Sequence, residues 1–177
     1  MHAVVVYESM FGDTQQVAEA VAAGMTDEMT VEVVEVSDAP HQLASDIDLL
    51  VIGAPSHAFS VSREHTRGEH APRGQVSSGC AVREWLETLQ HEGDVPFVAF
   101  DTKAAQPGLP GSATHAADRR LQLLGFQRLA PAETFFVSGV AGSLVTGEVA
   151  RATRWGKVLA RKVTQRLASA SAGHEEA

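Results

Sequence analysis

Two hydrophobic periods alternate along this chain, and that alternation limits its fold more than any other feature. "AVVVYES" from Ala3, "DLLVIGAPS" from Asp48 and "PFVAFDT" from Pro96 begin as almost uninterrupted apolar runs. A strand wetted on one face alternates apolar and polar residues, so an unbroken run fits a strand covered on both faces of a parallel sheet. "TVEVVEV" from Thr30 sets Val31 and Val33 against Glu32 and Glu35 and reads as an edge strand. "ETFFVSG" from Glu133 is the fifth run.

Between these runs the period changes to that of a helix. Val17, Val21 and Met25 recur every fourth residue, with Gly24 where a helix stop is expected. Val82, Trp85, Leu86 and Leu89 mark a second helix, started by Ser77 or Ser78 and stopped near Gly93. Ala117, Leu121 and Leu124 mark a third, capped by Ser112 and ended by Gly125. Val149, Ala152, Val158 or Leu159, and Val163 mark a long last helix. The segment "SDAPHQLASD" after Val36 is too short and broken for a long helix. Strands alternating with helices give an α/β, three-layer doubly wound sandwich. Five strands with four crossovers suit a five-stranded parallel sheet of order 2-1-3-4-5. One domain over residues 1–168 accounts for the pattern, with 169–177 as a flexible C-terminal tail.

Composition narrows the function. The 177 residues are 44% hydrophobic and 20% charged, ordinary for a globular domain. A net charge of −8 offers no basic face for nucleic acid. No apolar stretch approaches the roughly 18 residues of a membrane span, and no basic segment leads into the first strand, so no signal peptide is expected. With Cys80 as the one cysteine there is no internal disulfide, which suits a cytoplasmic protein.

In open α/β sheets of this order the ligand sits beyond the strand C-termini, between the first and third strands. The loops meeting there are "ESMFGDT", "GAPSHAF" and "FDTKAAQPGLPGS". In the first, Asp13 or Thr14 is expected to cap the helix, with Gln16 completing an approximate capping box after Asp13. Free amides at such a start, with Gly12 permitting close approach, make an anion pocket that needs no lysine or arginine. Ser9 and Thr14 add hydroxyl donors, which suits a phosphate monoester. Glu8 and Asp13 oppose it. A unit charge about 5 Å from a phosphate charge costs roughly 3 kcal/mol at an effective dielectric near 20. Four or five charge-assisted hydrogen bonds, each about 1.5–3 kcal/mol, outweigh that cost if Asp13 turns away from the pocket.

"SMFGDT" resembles the phosphate loop of the flavodoxin family, Ser/Thr-x-Ser/Thr-Gly-x-Thr, with Ser9, Gly12 and Thr14 in register and Phe11 in place of the middle hydroxyl residue. Aromatic residues also stand at that place in some flavodoxin-like reductases. "GAPSHAF" is similar to the family's Gly-x-Pro-Thr loop, and "YESMFGDT" with "GAPSHAFSVSR" resembles a flavodoxin-domain group found mainly in high-GC bacteria. The resemblance covers essentially the whole chain. It implies a flavodoxin-like fold and a noncovalent flavin mononucleotide, FMN, with its phosphate on the loop formed by Ser9, Met10, Phe11, Gly12, Asp13 and Thr14. The ring would lie between Pro55, Ser56, His57, Ala58 and Phe59 on one side and Asp101, Thr102 and Lys103 on the other. Flavodoxins commonly sandwich the ring between aromatic side chains of these two loops. Here the loop after the fourth strand offers none, only the distant His115, so the resemblance implies weaker binding or a ring face open to substrate.

Other candidates are weighed against plainer roles. His57, His65 and His70, with Glu64 and Glu69, lack the register of a metal site. Arg63, Arg67 and Arg73 suit a solvated loop better than a nucleotide phosphate dock. Lys103 suits an exposed position better than one beside the flavin. Trp85 and Trp155 fall on core stripes, and Cys80 reads as a quiet thiol. No catalytic acid or base stands out. The expected partner is a redox protein or a small-molecule electron acceptor, without nucleic acid or membrane, and a homodimer is compatible with the sequence. Three functions remain: an electron carrier, an NAD(P)H-dependent quinone or flavin reductase, and a cofactor-free interaction domain of the same fold.

Overall fold

The computed structural model describes residues 1–56, 82–105, 113–139 and 143–174. Five elements build the first half: β1 (His2–Tyr7), α1 (Asp13–Met25), β2 (Thr30–Glu35), β3 (Leu49–Pro55) and α2 (Val82–Thr88). They are followed by β4 (Pro96–Ala104), α3 (Ala113–Leu123), β5 (Gln127–Arg128), β6 (Glu133–Val137) and α4 (Glu148–His174). All strand pairs in the sheet are parallel. The order is β2-β1-β3-β4-β5, with β6 also paired to β4.

The doubly wound order expected from the sequence is present, with one difference. The fifth position is filled by two consecutive short strands, β5 opposite Pro96 and Phe97, then β6 opposite Phe100 to Ala104. Pro131 lies between them, and a residue without an N–H interrupts a ladder at a sheet edge. β2 is the opposite edge, and Val33 on it is exposed.

The central strands are buried on both faces, as their unbroken apolar runs require. Ala3, Val5, Leu49, Val51, Val98 and Phe100 face α1 and α4. Val4, Val6, Leu50, Ile52 and Phe97 face α2 and α3. The segment between β2 and β3 forms no helix; Val36, Ala39, Leu43 and Ile47 tuck into that second layer instead. Trp85 is fully buried and its indole donates to the Pro40 carbonyl, 3.1 Å away. Trp155 packs edge to face on Phe100 and Phe135. Both tryptophans are packing residues.

Gly24 is not a helix stop. It lies inside α1 where α4 crosses: a Cβ there would stand 2.1 Å from the Thr153 carbonyl oxygen, and one on Gly156 would stand 2.1 Å from that of Val21. The two glycines let the helix backbones touch. In α4, Ala152, Leu159, Ala160 and Val163 face the core, while Val149 and Val158 are exposed. The helix continues past Leu167 to His174. At its start Glu148 accepts the Phe136 N–H at 2.8 Å, and Arg151 pairs with Glu148 and Glu133 over the Phe135 ring. The hydrogen bond from Arg151 holds the Glu148 carboxyl below its ordinary value. This clasp ties α4 to β6.

Candidate functional site

β1 ends at Tyr7, and α1 begins at Asp13 after five intervening residues. The turn between them depends on Gly12, whose φ of 92° lies in the region only glycine enters cheaply. Gly12, not Asp13, is the N-cap, and no side chain caps the helix there. Among the described residues, nothing stands within 4 Å of a Cβ built on Gly12. The first helical hydrogen bond is Gln16 N–H to the Gly12 carbonyl at 2.9 Å. The amides before Gln16 therefore lack intrahelical partners. Ser9 Oγ accepts two N–H groups, from Gly12 in the turn at 3.0 Å and from Gln15 in the first turn of α1 at 3.4 Å. Met10 and Phe11 are half-buried in the same turn.

Neither acidic residue of the loop is a bare charge. Glu8 is 4% exposed, and its Oε2 accepts the Val82 N–H at 3.1 Å, at the start of α2. Asp13, expected to cap its own helix, instead accepts the Leu144 N–H from the segment after β6. Burial raises its carboxyl above the ordinary value, and that hydrogen bond opposes the rise.

The ends of β3 and β4 form the neighbouring wall. Pro55 closes β3, and Ser56 donates its N–H to the Thr102 carbonyl at 2.9 Å and its hydroxyl to Asp101 Oδ2 at 3.1 Å. Asp101 and Thr102 were expected where the fourth strand run gives way to its loop, and Lys103 in that loop; all three lie in β4, which runs on to Ala104. Asp101 is fully buried and Thr102 is 5% exposed. Strand alternation sends them to opposite faces. Thr102 turns toward α1, where its Oγ1 lies 2.9 Å from Thr14 Oγ1 in a buried hydrogen bond. Thr14 itself is 2% exposed.

The structure thus brings Ser9, Gly12, Thr14 and Thr102 together on one side and Ser56 with Asp101 on the other. His57, Ala58 and Phe59 lie outside the described residues, as do His65, His70, Glu64, Glu69, Arg63, Arg67, Arg73, Cys80, Ser77, Ser78 and Ser112. His115 is exposed on α3. Among the described residues no group of three His, Cys, Asp or Glu side chains is placed to hold a metal, and no helix is long and apolar enough to cross a membrane. Three contacts were not legible from spacing: Thr14 with Thr102, Glu8 with Val82, and Asp13 with Leu144. Only the first left a trace, because alternation in β4 puts Thr102 on the face of Val98 and Phe100, which α1 covers. Chemically, the loop is a set of neutral donors at a helix start, suited to an anion.

No family model and no curated protein matches the sequence. Solved structures do match, and they are flavodoxins and flavodoxin-like domains. A flavodoxin from the domain Archaea aligns over 93% of this chain and 99% of its own, with a TM-score of 0.64 at 17% identity. The flavodoxin of Streptococcus pneumoniae TIGR4 aligns over 92% and 99%, with a TM-score of 0.63 at 17% identity. A WrbA-like flavodoxin from Agrobacterium tumefaciens aligns over 93% and 98%, with a TM-score of 0.54 at 21% identity. The fold is flavodoxin-like.

Proposed function

We propose that this protein binds FMN noncovalently and transfers electrons to or from a redox partner protein or a small-molecule acceptor. One observation carries the reading: a turn on Gly12 at positive φ, uncovered by any described residue and with neutral donors around it, at the point where the strand order reverses. The residues present fit the phosphate end of FMN. Ser9 and the amides of the first helical turn are donors, and the carboxylates of Glu8 and Asp13 are each engaged by a backbone N–H of another segment. Bound FMN would supply one- and two-electron chemistry, and the protein's share is orientation and electrostatics. Pro55 and Ser56 bound the space for the ring from β3. Lys103, half-buried at the end of β4, is the cation that strand contributes.

Titrating the apoprotein with FMN and following flavin fluorescence tests this reading. Saturable quenching at one FMN per chain is expected; no quenching would leave the cofactor-free interaction domain. Mixing the loaded protein with NADH or NADPH in a stopped-flow instrument separates the two redox functions. Slow reduction is expected of a carrier, and rapid direct reduction would make it a reductase.

A further inference from the structure

The buried contact between Thr14 and Thr102 joins residues 88 positions apart. Each hydroxyl can donate one proton and accept others, so the pair holds two protons and its mutual bond uses one. Among the described residues neither hydroxyl has a second side-chain or backbone partner. One O–H is therefore in surplus at a position that is 2% exposed on Thr14 and 5% exposed on Thr102. A buried donor without an acceptor is costly. Either hydroxyl can be the donor of the mutual bond; when Thr102 donates, the surplus lies in the first turn of α1, two residues from Gly12, beside amides that also lack helical partners.

We propose that Thr102 is a positioning residue for the anion loop: its O–H donates to Thr14 Oγ1, which directs the Thr14 proton to a phosphate oxygen of the ligand. This rests on the FMN reading above and changes the part Thr102 plays in it. Thr102 lies in the strand beneath the loop and acts through Thr14, while the opposite face of the same strand sends Asp101 to Ser56. With Thr102 as donor, the Thr14 proton has one direction to take. Without it, that proton is free to rotate away, and the phosphate loses a preorganised donor.

Comparing FMN with riboflavin, which lacks the phosphate, tests the assignment. Dissociation constants for both are measured on the wild type, Thr102→Val, Thr102→Ser, Thr14→Val and the double valine variant. Thr102→Val is expected to weaken FMN about tenfold, the loss of one charge-assisted hydrogen bond, and to leave riboflavin unchanged. Thr102→Ser is expected to restore FMN binding. The double variant is expected to be no worse than Thr14→Val alone, because the two residues act through one proton. A partly destabilised variant does not confuse the result, since both ligands report on the same fold and only their ratio is read. Equal losses for FMN and riboflavin, no loss for FMN, or additive losses in the double variant would each overturn the role of Thr102. A wild type that binds neither flavin would overturn the FMN reading itself.

Discussion

Asp13 stands one residue past the turn on Gly12, and its carboxyl is raised by burial while the Leu144 N–H pulls the other way. A raised value in the folded state means that the native protein holds this proton more tightly than the unfolded chain does. Its contribution to stability is therefore greatest below the unfolded value, about 3.9, and is lost as pH rises through the folded one. Asp13→Asn should raise the melting temperature at about pH 7.5 and give no gain at about pH 3, where the wild-type carboxyl is already neutral. Calorimetry at the two pH values checks this, and an equal gain at both would show that the charge is not the cause. The same substitution should tighten FMN, by removing a negative charge next to the anion site. At this scale the sequence was readable in part. Gly12, Ser9 and Thr14 announce a strand-to-helix turn rich in donors, because each residue type has a local reason to be there. The partners of Glu8 and Asp13 were not readable, since Val82 and Leu144 come from distant parts of the chain and any backbone N–H could have served.

The helices and strands depend on contacts of the same distant kind, most plainly where α1 crosses α4. Gly24 and Gly156 bring the two backbones so close that a methyl group on either overlaps a carbonyl oxygen at 2.1 Å. Gly24→Ala must push α4 outward, and overpacking of this sort costs about 1–3 kcal/mol, sometimes more. Helix propensity alone would favour alanine by nearly 1 kcal/mol. Urea denaturation should therefore show a net loss of stability, and a gain would mean that the crossing is looser than described. From the sequence, Gly24 looked like the end of α1, because a glycine after a run of apolar repeats serves equally as a stop or as a contact. Only its neighbour, Gly156, distinguishes the two. Strand identity was easier to read: the unbroken runs of β1, β3 and β4 reflect burial on both faces, and the glutamates of β2 reflect an edge. The break between β5 and β6 was missed although Pro131 marks it. Of the stripe read for α4, Ala152, Leu159 and Val163 are buried; Leu159 rather than Val158 takes the position left open between them, and Val149 is exposed.

Across the whole molecule, the site is a meeting of three strand ends rather than a single motif. β1 delivers Ser9 and Gly12, β3 delivers Ser56, and β4 sends Thr102 to one side and Asp101 to the other. That convergence follows from the strand order 2-1-3-4, which alternating periods made legible before any contact was known. His57 and Phe59, expected against a flavin ring, lie outside the described residues. The most direct measurement is a crystal structure grown with excess FMN. The phosphate is expected over Gly12, bonded to Ser9 and to amides of the first turn of α1, with Thr102 still on Thr14. A turn still closed by Ser9 on the Gly12 and Gln15 amides, with FMN elsewhere or absent, would contradict that placement.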